Sequence, residues 1–302
     1  MVGRSEWKFA AIGLEAGPLS QWLHLGLTEA GLDAVLMEIR QVKGALKAMP
    51  IKTDRRDAEG IARLLHLGWF RPVHCKSILA QETRAVLGAR KAIQQNMIAL
   101  EMSLRGVLRN FGLKVGAISR GTFETRIREL ADGKPMLEAA NLPMLRARAS
   151  LRHELATLEK QVRHLAQADP VCHRLMTMPG IGPVVALTFR AAVDDPARFR
   201  SSKRIGLWIA LTLSRNQSGE RDVSGGITKA GDVNRRRALC QAATVMMNRG
   251  WSSWLRTWGA QLAQRRGNKI AMLALARRIA VILHRIWIDG TVLQSGAAPK
   301  AA

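Results

Sequence analysis

The sequence predicts a small α/β unit followed by a mainly helical remainder. Three observations carry this expectation: two short apolar runs flanking a helix-length segment, two long stripes at helical spacing in the middle, and apolar helices punctuated by glycine near the end. Residues 7–14 (WKFAAIGL) are apolar and stop at Glu15, which is the pattern of a buried strand. Leu19, Leu23, Leu27 and Ala30 then share one helical face, and Gly31 ends it. Residues 32–39 (LDAVLMEI) read as a second strand, and strand–helix–strand order implies a parallel pair. Residues 52–58 (KTDRRDA) open a further helix that runs through Leu67 and is closed by Gly68 and Pro72.

From about Ala80 to Phe111, the residues Ile93, Met97, Leu100, Leu104, Leu108 and Phe111 recur at spacings of four and three. Leu151, Leu155, Leu158, Val162 and Leu165 repeat the pattern. The pair reads as an antiparallel hairpin, an intermolecular coiled coil, or plain core-facing stripes. Residues 112–143 between them read as a loop with one short helix. The last unit begins at Met178-Pro-Gly-Ile-Gly-Pro183, continues as an apolar helix from Val184 to Ala192, and ends with a helix from Lys269 to Ile288. The expected domains are therefore 1–75, 76–168 and 169–302.

Lys and Arg total 47 against 23 Asp and Glu, a formal net charge of +24. Such an excess points to a polyanion, nucleic acid before a membrane surface, because neutralising phosphates releases condensed counterions. The charge is concentrated late: between Arg198 and Arg285 there are 18 basic residues and three acids, Glu220, Asp222 and Asp232. Cys75, Cys172 and Cys240 lie far apart, which excludes a zinc ribbon or disulfide framework and fits a reducing, cytoplasmic setting. No signal peptide is recognisable. The apolar segment 270–288 carries Arg277, Arg278, His284 and Arg285, which excludes an ordinary membrane span.

Three constellations carry candidate chemistry. Asp54 and Asp57 stand three apart at a helix start, and Glu15 ends a strand. Carboxylates held together need a cation, and hard oxygen ligands suit Mg²⁺ or Mn²⁺. The alternative is that Asp54 caps the helix and Asp57 complements its dipole. Gly180 and Gly182 in the PGIG turn free the backbone to approach phosphate, as in helix-hairpin-helix modules, or simply make a tight turn. Ser218 in Gln217-Ser218-Gly219 is a candidate nucleophile on a loop whose nucleic-acid-binding candidates are Arg215, Lys229, Arg235, Arg236 and Arg237, with Arg221 beside them. Ser214 and Ser224 compete with it on spacing alone. Trp251, Trp254 and Trp258 stand at helical spacing, as a core stripe rather than a base-stacking platform. The seven histidines show no metal-ligand spacing.

These blocks in this order resemble the DEDD-type transposases of the insertion sequence one-ten family. The match rests on GLEAG…KTDRRDAEGIARLL over residues 13–65, MPGIGPVVALTFRAAVDDPARF over 178–199, and IGLWIALTLSRNQSGERDVSGGITKAGDVNRRRAL with RRGNKIAMLALARRIAVILHRIW beyond it. The resemblance implies a RuvC-like, RNase H-type first domain, a coiled-coil middle and a helical C-terminal transposase domain. It also implies DNA and a structured guide RNA as partners, and a homo-oligomer. Glu15, Asp54 and Asp57 would be three of four metal-binding acids, and Ser218 the nucleophile that attacks DNA, ahead of Ser214 and Ser224.

The chain departs from the family in one respect. The family's first acid sits on an opening strand well before the glutamate, and here no Asp precedes Glu15. The glutamate block itself reads EAGP. The sequence thus leads to the expectation of an N-terminally truncated, incomplete RuvC-like domain with weak or no recombination activity. Two other readings stand beside the recombinase: a non-catalytic nucleic-acid-binding remnant of a transposase, and a junction nuclease acting through carboxylates alone.

Overall fold

The computed structural model describes residues 8–47, 51, 53–209, 211–228, 231–249 and 253–293. The chain divides into two compact units, residues 1–78 and 79–302.

In the first unit, β1 (Ile12–Glu15) and β2 (Ala34–Met37) pair in parallel, with Gly13 opposite Val35 and Glu15 opposite Met37. The crossover between them is α1 (Ser20–Glu29). The other edge of β2 is held by residues 71–73: Glu38 donates to the Arg71 carbonyl and Val73 to that of Leu36. The face expected to bury α1 does not do so. Leu19 is 67% exposed and Leu23 39%, whereas Ser20 is buried. The helix is rotated so that its 20, 24 and 27 positions turn inward, and two strands are too narrow to cover the rest. A short helix that the sequence reading did not foresee, α2 (Ile39–Leu46), buries only Val42. It is followed by α3 (Asp54–His66). Met37, Val42 and Leu64 form the small core, with Ile61 and Leu65 packed on it. Gly13 permits this packing: a Cβ there would lie 2.8 Å from Met37 Cε and 2.9 Å from Ile61 Cγ2, so only glycine lets α3 settle on β1.

The second unit is built on two long helices, α4 (Ile78–Asn110) and α6 (Pro135–Ala168). They pack antiparallel, and the register can be read from their contacts. Arg90 pairs with Glu159 at 2.6 Å, Glu101 with Arg148 at 2.7 Å, and Leu104 shares a core with Leu145. Each pairing moves forward along one helix by as much as it moves back along the other. The two ion pairs lie eleven residues apart, three helical turns, so they sit on one seam. Of the three readings of these helices, the intramolecular hairpin is the one formed. Phe111, expected to end the stripe, is 62% exposed. The helix stops one residue earlier, Gly112 (φ 74°) turns the chain away, and Val115 and Phe123 fill the end of this core instead.

The expected loop over 112–143 holds its short helix, α5 (Phe123–Ala131), but α6 already begins at Pro135 and carries Pro143 inside it. Pro135 occupies the first turn, where proline is pre-organised, and buried Leu137, Asn141 and Leu145 keep the helical period across Pro143.

Beyond the hairpin lie α7 (Pro170–Leu175), α8 (Pro183–Val193) and α9 (Ser202–Trp208), then β3 (Leu213–Ser218) and β4 (Arg221–Ile227), then α10 (Val233–Asn248), α11 (Trp254–Arg266) and α12 (Asn268–Asp289). Their shared core runs through Phe189, Ile205, Leu239, Met246 and Leu283. Residues read as a basic loop in the sequence form the antiparallel β3–β4 hairpin. Trp254 and Trp258 pack on the core beneath Arg278, whose guanidinium lies 4.8 and 4.6 Å from their ring centres, while Trp251 lies outside the described residues. Among the described residues, no helix is long and apolar enough to cross a membrane.

The buried Arg148 supplies a test of the hairpin. Its side chain is 3% exposed, binds Glu101 and the Arg120 carbonyl, and stacks 4.6 Å from the Phe123 ring centre. Arg148→Ala leaves Glu101 without its partner and is expected to cost about 3–5 kcal/mol, whereas the double variant Arg148→Met, Glu101→Gln recovers most of that in chemical denaturation.

Candidate functional site

In the first unit, Glu15 ends β1 at the carboxyl edge of the parallel pair, the edge where α/β sheets present ligand-binding groups. Strand alternation puts it on the same sheet face as Gly13, the face on which α3 packs. Ser20 fixes the turn after it, accepting from Gly17 N–H and donating to the Gly17 carbonyl. Asp54 and Asp57 both lie in the first turn of α3. The helix cap is Thr53, whose hydroxyl accepts from Arg56 N–H, so the capping role considered for Asp54 falls to its neighbour. Asp54 is exposed and Asp57 half-buried.

One carboxylate oxygen of Glu15 is sealed from solvent without a hydrogen-bond partner, a setting that favours a cation beside it. The donor chemistry therefore suits a hard divalent ion. The geometry does not close around one: among the described residues, no three Asp, Glu, His or Cys side chains lie close enough to share a metal. Glu15, Asp54 and Asp57 are not a preassembled cage.

In the second unit, Ser218 is the last residue of β3. It faces Arg221 across the two-residue turn Gly219-Glu220, with Gly219 at φ 56°. Both strands present exposed side chains from Arg215 to Val223, so the serine stands at the tip of a solvent-facing hairpin. The side chains of Ser214 and Ser224, and Lys229 altogether, lie outside the described residues. Arg215 is turned along the hairpin and grips Asp222 with two hydrogen bonds of 2.8 and 2.6 Å. That contact holds Asp222 below its ordinary carboxylate range and raises Arg215. Arg221, opposite the serine, is exposed.

The Arg235-Arg236-Arg237 run divides in an unexpected way. Arg235 and Arg236 are buried, at 5% and 8% exposure, and only Arg237 faces solvent. Arg235 donates to the Trp208 carbonyl at 2.8 Å and lies 3.6 Å from the Trp208 ring centre, with Arg198 4.6 Å from the same ring. Burial pushes Arg235 down to about 10, against the pull of Asp232, and it remains charged at neutral pH. Arg236 donates to the Gly231 carbonyl at 3.1 Å. Trp208 precedes β3 and Gly231 follows β4, so consecutive arginines of α10 tie down both roots of the hairpin that carries Ser218. These two arginines are therefore internal anchors rather than phosphate contacts.

The PGIG turn connects α7 to α8, and Gly182 caps α8 ahead of Pro183. Gly180 has φ 84°, and a Cβ there would lie 3.0 Å from the Ala242 carbonyl oxygen of α10. Close helix packing thus accounts for Gly180, with the neighbouring backbone where the sequence reading had put a phosphate. Cys172 is a core thiol that burial, reinforced by Asp169, pushes up to about 12, which rules it out as a thiolate nucleophile near neutral pH.

Residues that sequence reasoning missed include Arg84 and Lys91 of α4, which meet the start of α10. Arg84 pairs with Asp232 at 2.6 Å, and Lys91 donates to the Asn234 amide oxygen at 2.6 Å. Asp232 also caps α10 by accepting from Asn234 N–H. Burial alone would raise Asp232, but Arg84 and that N–H outweigh it and hold the carboxyl below its usual range. The seven-residue spacing of Arg84 and Lys91 was the available signal. It was masked by the apolar stripe on the same helix.

The arginine run yields a direct comparison. Arg235→Lys loses the planar stack and fork and is expected to cost about 1–3 kcal/mol of stability. Arg237→Gln at the surface should change stability by no more than about 0.5 kcal/mol. Denaturant titration of the two variants distinguishes an anchor from a surface charge.

Residues 172–257, which include the Ser218 hairpin and α10, match the family model described as Transposase IS116/IS110/IS902 family. Over 278 residues the chain is 29% identical to the transposase for insertion sequence element IS1111A of Coxiella burnetii, covering 88% of this chain and 74% of that protein. It is 28% identical over 296 residues to a probable family 20 transposase of Pseudomonas aeruginosa, covering 94% and 86%. A shorter stretch of 145 residues is 32% identical to the transposase for IS1328 of Yersinia enterocolitica, covering 47% and 43%. The family model and the relatives' names agree in supporting an IS110/IS116-family transposase, a DNA-processing type of enzyme.

Proposed function

We propose that this chain is a DNA transposase that cleaves and exchanges strands through Ser218. The observation that carries this reading is the serine's setting: an exposed hydroxyl at the tip of a hairpin whose roots are anchored, with the Arg221 cation across the turn, inside the segment that matches the transposase family model. In the proposed step the Ser218 Oγ attacks a DNA phosphorus. A P–O bond to the seryl oxygen forms, the bond to the leaving deoxyribose oxygen breaks, and that oxygen takes up a proton. The hydroxyl proton passes to solvent or a base. Arg221 stabilises the charge that develops on the non-bridging oxygens. Attack by a second strand's hydroxyl on the seryl ester reverses the chemistry and rejoins DNA, with no external energy source.

The first unit fits this reading as an RNase H-type, RuvC-like piece whose Glu15, Asp54 and Asp57 take part in holding Mg²⁺ or Mn²⁺. Because the three acids do not close a cage on their own, we assign no chemical step to the metal and place its binding in the DNA-bound state, where phosphate oxygens complete the ligand set. A structured RNA partner and a homo-oligomer belong to the same proposal. The alternative of a non-catalytic nucleic-acid-binding remnant is favoured by one observation, the lack of a three-carboxylate cluster among the described residues.

Two measurements test this. Ser218→Ala should abolish any covalent protein–DNA adduct while binding stays within about twofold of the parent chain; an adduct that persists in the variant overturns the assignment, and no adduct in either protein favours the remnant. Mn²⁺ titration followed by electron paramagnetic resonance should show weak binding by the protein alone and tighter binding with DNA. Glu15→Gln should remove the gain.

A further inference from the structure

A groove of about 270 Å³ lies within the second unit, between α4 and the first turns of α10, with α8 at its base. Its composition divides by depth. Leu87, Val184 and Ala238 form an apolar floor continuous with the core. Around them stand the amides of Gln94, Gln95 and Gln241, which offer both donors and acceptors. Four cations, Arg84, Arg90, Lys91 and Arg237, line it against one carboxylate, Asp232.

That carboxylate is engaged by Arg84, and Arg90 reaches out of the groove to Glu159. Among the described residues, neither Lys91 nor Arg237 forms an ion pair. Lys91 has a neutral amide for its close partner, and Arg237 is exposed. The Nε of Arg90 is sealed from solvent and has no hydrogen-bond partner. The groove therefore keeps positive charge and unmet donors beside an apolar, amide-rimmed slot. A bare phosphate would leave the floor unused, and a duplex is too wide to enter a cavity of this volume. An apolar acyl chain would leave the cations unmet.

We propose that this groove holds one unstacked nucleotide of a single nucleic-acid strand, with its base on the Leu87–Val184 floor, its edge read by the glutamines, and its phosphate between Lys91 and Arg237. The inference rests on the transposase reading only in taking nucleic acid as the partner. It does not involve Ser218.

Gly88 allows the slot to be blocked without altering its charge. It lines the groove on an exposed turn of α4, and a Cβ built there meets nothing within 4 Å. Gly88→Leu should fill the slot and, as a better helix former, leave folding intact. Fluorescence anisotropy of the full chain should be measured with oligothymidylate, oligouridylate and a 20-base-pair duplex, for the parent, Gly88→Leu, and Lys91→Gln with Arg237→Gln. Both variants are expected to bind the single strands at least tenfold more weakly and the duplex within threefold of the parent. The charge variant should also show a shallower salt dependence, by about 1.4 in the log–log slope for two lost phosphate contacts, while Gly88→Leu keeps the parental slope. The two single strands report whether DNA, RNA or both enter.

Unchanged single-strand binding by Gly88→Leu, with its thermal unfolding matching the parent, overturns the groove and leaves the transposase reading standing. Equal losses on duplex and single strand overturn it as well, by marking a general basic surface. Failure of the parent to bind any of the three nucleic acids removes both readings together.

Discussion

Two consecutive buried arginines at the start of α10 set the geometry on which the rest of the second unit depends. Arg235 stacks on Trp208 and binds its carbonyl, and Arg236 binds the Gly231 carbonyl. A guanidinium buried among aromatic rings is costly unless its donors are met, and here they meet the backbone on either side of β3–β4. The hairpin itself has little to hold it. Its side chains from Arg215 to Val223 are exposed, and an isolated two-stranded ribbon is marginal in water. The arginines supply the fixed base that lets a polar, glycine-containing hairpin present Ser218 in one place.

The same helix start is tied to the long hairpin. Asp232 caps α10 and pairs with Arg84, so α4 is bound to α10 at that point and to α6 through the Arg90–Glu159 and Glu101–Arg148 pairs. Charge in this unit thus does two kinds of work. Part of it is internal, holding helices in register. The rest, on Lys91, Arg237 and Arg221, is left to solvent and so to a polyanion. A net charge of +24 read from composition does not separate these roles.

Which features were legible follows from where the information sits. The helices α8 and α12 were readable to within a residue or two, because apolar residues recur with the helical period and each helix is bounded by glycine, proline or charge. The parallel strands were readable as short apolar runs. The β3–β4 hairpin was not, since LSRNQS and RDVSGGI lack the apolar alternation that marks a half-buried strand. The placement of Asp54 and Asp57 in one helical turn followed from their spacing, but the failure of Glu15 to join them in a cluster depends on how α3 sits on β1. Arg235 and Arg236 were misread as surface contacts because Trp208, 27 residues earlier than Arg235, decides their burial. The choice of Ser218 over Ser214 and Ser224 came from resemblance, and its exposure at the hairpin tip is compatible with that choice.

Those three serines fall on three different tryptic peptides, because Arg204, Arg215, Arg221 and Lys229 separate them. Mass spectrometry of the trapped protein–DNA adduct after nuclease and trypsin digestion therefore tests the central claim most directly. The account predicts a nucleotide mass on the peptide Asn216–Arg221, carried by Ser218. A nucleotide on the peptide holding Ser214 or Ser224, or cleaved DNA with no modified peptide at all, would contradict it.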